Sequence, residues 1–179
     1  MILNKCRLIE IVTAGLLFVS VQSAAVDVPV KITGTILIPP CKVNKGEMIV
    51  VEFGDISVTD VANERNRRKV TIPVTCDYAQ GRAYVKVTGS QLGSNTNVLA
   101  TDVSNFGISL YQGDGTSTRL TLGDGTNTGQ DYIGFPIQTG LSGKESGTFT
   151  FTAIPFKEGS KELEAKAFRA SANMSISYF

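Results

Sequence analysis

Apolar and polar side chains alternate with a period of two along much of this chain, which is the pattern of half-buried β-strands. The pattern is clearest near the N-terminus, in VDVPVKITGTILIPPC (26–41). Its apolar positions, with a glycine completing the series, are Val28, Val30, Ile32, Gly34, Ile36 and Ile38. A long, half-apolar strand at this place raises the question of which sheet it completes.

Eight further apolar runs follow, separated by clusters of Gly, Asn, Asp and Ser. They are 48–58, 69–76, 82–89, 105–112, 118–122, 132–138, 147–156 and 167–179. Many short strands at this spacing predict an all-β antiparallel sandwich of the immunoglobulin type. The intervening stretch KEGSKELEAKAF (157–168) is charged and weakly periodic, so we expect a loop or a single turn there.

The last run has the same alternation as the first. Its apolar positions are Phe168, Ala170, Ala172, Met174, Ile176 and Tyr178, and the sequence stops one residue later at Phe179. A strand with one apolar face needs partners for its backbone groups. Both terminal strands could pair inside their own domain, or they could pair with another chain, and the alternation alone leaves both possibilities open.

The first residues are typical of a secretory signal peptide. Lys5 and Arg7 precede an apolar core, and SAA (23–25) supplies small residues for cleavage after Ala25. The apolar run is short for a membrane span. Removal of residues 1–25 would leave 154 residues with a formal net charge of zero. This length suits one domain with a proper core.

The charge balance and composition exclude several functional classes. A neutral chain gives no indication of nucleic-acid binding, and the one basic cluster, RNRRK (65–69), is expected to be a solvated loop. The absence of histidine excludes Ser-His-Asp and Cys-His catalysis and histidine metal sites. Asp55 and Asp60 are acid–base candidates only by default, without a surrounding motif. We therefore expect no enzyme, no cofactor and no metal.

Two cysteines remain once Cys6 has left with the signal peptide. In an exported chain, the even pair Cys41 and Cys76 indicates a disulfide. The alternative is a metal site, for which two thiolates without histidine are a poor ligand set.

Two similar segments, GDGTST (113–118) and GDGTNT (123–128), follow each other at a ten-residue interval. A calcium site built from Asp114 and Asp124 is one interpretation. Two turns flanking the short strand between the segments explain the same residues, because Asp-Gly strongly favours turns.

A series of short motifs resembles the subunits of chaperone–usher pili over the whole mature sequence. They are the arm with Gly34, IPPC (38–41), VEFGDI (51–56), VTC (74–76) and the last strand with its penultimate Tyr178. The segment 106–125 is most similar to the P-pilus type of minor tip adaptor. One departure is EAKAF (164–168), where such subunits usually carry glycine. We expect these alanines to tighten the start of the last strand.

The resemblance implies an incomplete immunoglobulin-like sandwich that lacks its last strand and is completed in trans by donor-strand complementation. It implies a signal peptide (1–25), an N-terminal donor-strand extension (26–40) and a pilin domain (41–179). The donor residues would be Val28, Val30, Ile32, Gly34, Ile36 and Ile38. The groove edge and the surface recognised by the chaperone would be Phe168, Ala170, Ala172, Met174, Ile176, Tyr178 and Phe179.

The resemblance also implies partners and a location. The partners would be a periplasmic pilus chaperone, an outer-membrane usher and neighbouring pilus subunits, including a tip adhesin. The chain would pass through the periplasm to the fimbrium at the cell surface. Its function would be that of a structural adaptor between adhesin and fibre. A major rod subunit and a sugar-binding adhesin are the alternatives, and the adhesin is disfavoured because the arm follows the signal peptide directly.

Overall fold

The computed structural model describes residues 27–129, 131–141 and 143–179, so the expected signal peptide (1–25) lies outside the described residues. The chain divides into two units between Thr35 and Ile36, and each is described by itself. Residues 27–35 contain no β-strand. No helix in the described ranges is long and apolar enough to cross a membrane.

In the described part of residues 36–179, antiparallel strands form two sheets. The strands are β1 (Lys42–Val43), β2 (Arg68–Thr75), β3 (Ala83–Gly89), β4 (Val98–Ala100), β5 (Phe106–Gln112), β6 (Thr118–Arg119), β7 (Thr126–Asn127), β8 (Tyr132–Pro136), β9 (Ser146–Lys157) and β10 (Ala172–Tyr178). The first sheet has the order β1-β2-β9-β5-β4, and β6 also pairs with β5. The second has the order β10-β3-β8-β7. Two short 3₁₀ turns, Asn44–Gly46 and Glu64–Asn66, lie between β1 and β2.

Alternating apolar side chains from both sheets form one core. Ala83, Val85 and Val87 of β3 are buried, whereas Tyr84 and Lys86 between them are more exposed, and in β9 Phe149 and Phe151 are buried on either side of the more exposed Thr150. Period-two burial is the expected consequence of a sheet with one face turned to a second sheet.

The disulfide ties the beginning of this domain to the first sheet. Cys41 and Cys76 are bonded, with an S–S distance of 2.07 Å and a Cα–Cα distance of 4.2 Å. The bond joins the residue before β1 to the residue after β2. On the chain-entropy model, closing a loop of this length stabilises the fold by about 4 kcal/mol.

Most of the expected strands occur within one to three residues of their predicted limits, as β2, β3, β5, β8 and β9. Three predictions were wrong in extent. The run 118–122 forms only the two-residue β6, the run 48–58 is not a strand, and the last strand begins at Ala172 instead of 167. The alanines of EAKAF therefore lie outside β10 and do not tighten its start. The three-residue β4 was not predicted.

The expectation of a solvated loop at RNRRK was wrong for most of the cluster. Arg68 and Lys69 belong to β2, and the side chains of Arg67 and Arg68 are half-buried. Arg65, which is exposed, forms an ion pair with Asp60. Asp60 also accepts hydrogen bonds from the Asn63 amide at 3.2 and 3.3 Å, so this carboxylate is a structural group.

The carboxylate of Asp114 is occupied by basic side chains. Lys69 Nζ donates a hydrogen bond to it over 2.7 Å, and Arg67 forms an ion pair with its other oxygen. The hydrogen bond from Lys69, together with the positive charges of Lys69 and Arg67, lowers the pKa of Asp114. No cluster of three or more metal-ligating side chains occurs among the described residues. These contacts favour the turn interpretation of the segment over a calcium site.

Candidate functional site

One edge of β10 pairs with no strand in the described part of the chain. The other edge pairs with β3, and at its end Arg82 and Phe179 exchange two backbone hydrogen bonds of 2.8 and 3.0 Å. Because bonded pairs alternate along an antiparallel ladder, the N–H and C=O groups of Met174, Ile176 and Tyr178 point to the opposite edge. In the described ranges, the backbone hydrogen bond that reaches that edge is a single one, from the Cys41 N–H to the Ile176 carbonyl (2.8 Å).

A second unpaired stretch of backbone lies in residues 47–57. From Met48 to Ile56 the described chain contains no backbone–backbone hydrogen bond to it. Backbone bonds occur only at its ends, from Glu47 N to Asn44 O (2.9 Å) and from Asp60 N to Ser57 O (3.0 Å). A stretch of backbone this long without backbone partners is unusual in a folded domain.

A backbone hydrogen bond from the disulfide residue Cys41 and an aromatic contact bring these two stretches close together. Cys41, six residues before Glu47, is hydrogen-bonded to β10, and the Phe53 and Phe168 ring centroids are 6.1 Å apart. We call the region bounded by residues 47–57 and by 168–178 the groove. Its partly buried apolar side chains pack against the core, and they are Ile49, Val51, Ile56, Phe168 and Met174.

The segment that leads into β10 is held by side chains from the β4–β5 connection. Asp102 accepts a hydrogen bond from the Arg169 N–H at 2.7 Å and donates its own N–H to the Arg169 carbonyl at 3.2 Å. This pairing places Phe168 edge-on against Phe106, with ring centroids 4.8 Å apart. The entrance to β10 is therefore fixed although it has no regular ladder.

The residues predicted for the groove edge fall into three groups. Ile176 and Tyr178 are fully buried, and the Tyr178 hydroxyl donates to the Lys144 carbonyl at 3.2 Å. Phe168 and Met174 are half-buried and pack against the core. The exposed members of the predicted set are Ala170, Ala172 and Phe179.

The opposite wall of the groove was missing from the predicted site. Ile49, Val51 and Phe53 form that wall, since they turn inward along the unpaired stretch. Their spacing of two residues is visible in MIVVEF (48–53), so the sequence carried the signal. By itself, that spacing predicts only one more strand of the sandwich.

The arm is described by itself. Val28 is 76% exposed, Val30 80% and Ile32 89%, and an ideal Cβ placed on Gly34 would meet nothing within 4 Å. In the other unit, Ile36 is 98% exposed and Ile38 is half-buried. A row of branched apolar side chains in water is unfavourable, and such exposed apolar surface is a mark of interaction sites.

Two antiparallel sheets packed as an immunoglobulin-like sandwich, with an open edge where a further strand would lie, define the class of incomplete sandwiches found in pilins. A family model described as "Fimbrial protein" matches residues 30–179. The chain belongs to this family.

Curated relatives from Escherichia coli are similar over nearly the whole chain. The chain is 44% identical to "Minor fimbrial protein PrsF" over 165 residues, which cover 92% of this chain and 95% of that protein. It is 44% identical, with the same coverage, to "Fimbrial adapter PapF". This chain is accordingly a structural minor subunit of a pilus, exported to the cell surface, where it contacts other pilus subunits.

Solved structures agree with this assignment. The P pilus adaptor subunit PapF, in a study of its polymerization reactivity, is 39% identical with a TM-score of 0.56, covering 81% of this chain and all of that one. The P pilus rod subunit PapA is 16% identical with a TM-score of 0.58, covering 79% of this chain and all of that one. The likeness to PapA shows the fold alone, so the relatives favour the minor subunit over the rod subunit.

Proposed function

We propose that this chain is an adaptor that joins a tip adhesin to the pilus fibre by donor-strand exchange. Its arm (26–40) would insert into the groove of the subunit ahead, and its own groove would accept the arm of the subunit behind. The single observation that carries the proposal is the open edge of β10 beside the unpaired residues 47–57. A strand placed there would find backbone partners on both sides.

The arm has the properties that such a groove requires. Its apolar face would be buried on insertion, and five aliphatic side chains contribute about 8–15 kcal/mol of gross burial free energy. Its backbone would form a ladder that adds geometric specificity, since register determines which face is buried. The groove contains the half-buried side chains of Phe168 and Met174. It therefore requires apolar side chains at alternate positions of the strand that enters it.

Before assembly the groove needs a temporary occupant. We propose that a periplasmic chaperone covers it and that an outer-membrane usher presents the complex to the growing fibre. An exposed apolar groove in a free subunit would otherwise promote aggregation. We also propose that the chain acts without catalysis, because its relatives are structural subunits and its sequence offers no catalytic constellation.

The proposal predicts that adjacent arm positions differ sharply in their tolerance of charge. Ile32→Asp places a carboxylate on the face that enters the neighbour's groove, whereas Thr33→Asp places it on the opposite face. Each variant is loaded with its chaperone and mixed with a chaperone-bound acceptor subunit, and donor-strand exchange is followed on a gel. Exchange should fall at least about a hundredfold for Ile32→Asp, because a desolvated charge is costly, and should persist for Thr33→Asp.

Both variants add the same charge, so a difference in exchange between them reports only the face of the arm on which the charge lies. Equal exchange by both variants would contradict insertion of the arm in this orientation. Deletion of residues 26–38 gives the limiting result, and normal exchange by that deletion would exclude the donor-strand function altogether.

A further inference from the structure

One side chain from the first sheet donates hydrogen bonds to the backbone of the unpaired wall of the groove. Arg68 Nε donates to the Glu52 carbonyl at 3.0 Å, and Arg68 Nη2 donates to the Phe53 carbonyl at 2.6 Å. These carbonyls lie in the middle of the stretch whose backbone has no backbone partner in the described chain. The guanidinium therefore supplies hydrogen bonds where a sheet would supply a ladder.

The guanidinium is itself held in a defined orientation. Its Nη1 donates to the carbonyls of Arg65 and Arg67, each at 3.0 Å, and its carbon lies 5.6 Å from the Phe53 ring centroid. The Arg68 backbone is paired with Ala153 in β9, so the side chain projects from an established strand. A planar fork with five donors suits this arrangement, and an ammonium group on a flexible stem does not.

The contact reaches the apolar surface of the groove as well as its backbone. The Phe53 ring lies under the guanidinium on one side and is 6.1 Å from the Phe168 ring, at the entrance to β10. Arg68 thus fixes both the carbonyls of the wall and the aromatic side chain that the wall contributes to the core. Outward movement of residues 52 and 53 would break these contacts together.

We propose that Arg68 is a positioning residue for donor-strand capture, holding the 47–57 wall in place so that the captured strand is retained. This inference rests on the proposed function of the groove. A strand bound between two walls escapes when one wall moves away, and 47–57 is the wall without a ladder to its own domain. Loss of the tether should therefore increase the escape rate of the strand.

The chain offers a matched control at the neighbouring position. Arg67 is also half-buried and basic, but its side chain forms ion pairs with Asp114 and Glu64 and not with the wall. Arg68→Lys and Arg67→Lys both keep the charge and both remove a guanidinium. They differ in whether the lost group contacts residues 52 and 53.

The experiment uses the full mature chain refolded with a fluorescent peptide of residues 27–40, whose alternating apolar face stands in for the arm of the subunit behind. Dissociation is measured by chase with unlabelled peptide, and amide hydrogen exchange is measured in residues 48–57. For Arg68→Lys we expect dissociation about tenfold faster, corresponding to one lost charge-assisted hydrogen bond, with faster amide exchange in that stretch. Arg67→Lys should match the unmodified chain in both measurements.

A purely structural role would give a different result, namely a lower unfolding temperature of the loaded chain with unchanged peptide dissociation. That result, or equal effects of both lysine variants, would overturn the proposal. If Arg68→Lys does not refold, Arg68→Gln retains a planar amide donor and is measured in the same way. If the unmodified chain captures no peptide, the proposed function of the groove fails first, and the two failures are thereby distinguished.

Discussion

At the scale of single residues, Gly34 is the position that the chain's own fold does not explain. An added Cβ would meet no atom within 4 Å, and the backbone there is outside the left-handed region that favours glycine. Glycine in the middle of an alternating strand is intrinsically unfavourable and often marks a close approach of another surface. In the proposed donor-strand exchange, the groove that the arm would enter would supply the reason for Gly34.

Gly34→Val tests whether that surface is a groove with no room for a side chain. The variant raises β-propensity and should leave this subunit's own fold unchanged. In a tight groove, overpacking costs about 1–3 kcal/mol, so exchange into the subunit ahead should slow by about ten- to a hundredfold in the gel assay. Thr35→Val, which is the same type of change on the opposite face, is the control. Unimpaired exchange by Gly34→Val would remove the case for a tight glycine pocket.

At the scale of elements, β10 has two different edges. One is paired with β3 along its whole length, and the other has the Cys41 bond. Side chains of β10 also differ with depth, since Ile176 is fully buried in the core whereas Met174 is half-buried at the groove. Substitution of Ile176 would therefore disturb the core and the groove together, and Met174 is the better probe of the groove.

Met174→Asp should impair capture by the chaperone and acceptance of the strand from the subunit behind. Loss of the apolar contact alone costs about 2 kcal/mol, and the carboxylate adds a desolvation cost. The yield of chaperone complex co-purified from periplasm and the rate of exchange as acceptor provide the measurements. Ser175→Asp, at the neighbouring position opposite Lys86, should behave as the unmodified chain. A Met174→Asp subunit that accepts a strand normally would place the groove elsewhere.

At the scale of the whole molecule, the arm and the groove each present features of an interaction surface. Branched apolar residues of the arm are exposed, and in the described part of the chain both walls of the groove have backbone groups without backbone partners. The disulfide offsets part of this loss by constraining the unfolded chain. It does not supply the missing strand.

We therefore expect the chain to be unstable when expressed in periplasm without a partner, and to aggregate or be degraded, as measured by its soluble yield. The chaperone should restore the yield. Filling of the groove by the subunit's own arm is the main confounding effect, and deletion of residues 26–38 should lower solubility further if it occurs. A soluble monomer of the deletion variant that unfolds cooperatively would show that the fold is complete without a donor.

The class of the fold was predictable because it depends on local alternation, whereas the donor-strand role of the arm is implied by the family resemblance and stays a prediction. Period-two runs are determined by residue type alone, and those of β2, β3, β5 and β9 lie in strands close to the predicted limits. The disulfide was predictable from the count of cysteines in an exported chain, and the similarity of several short motifs indicated the pilus family.

Only the tertiary structure determines which of the alternating stretches form strands. Residues 48–58 alternate as β3 does, yet within the described residues their backbone has no ladder, because a strand exists only where a second strand supplies its hydrogen bonds. Likewise, RNRRK has the composition of a solvated cluster, and only the arrangement of β2 beside residues 52 and 53 turns Arg68 into a tether for the groove. Side-chain pattern is written in the sequence, whereas the supply of partners for backbone groups is a property of the assembled fold.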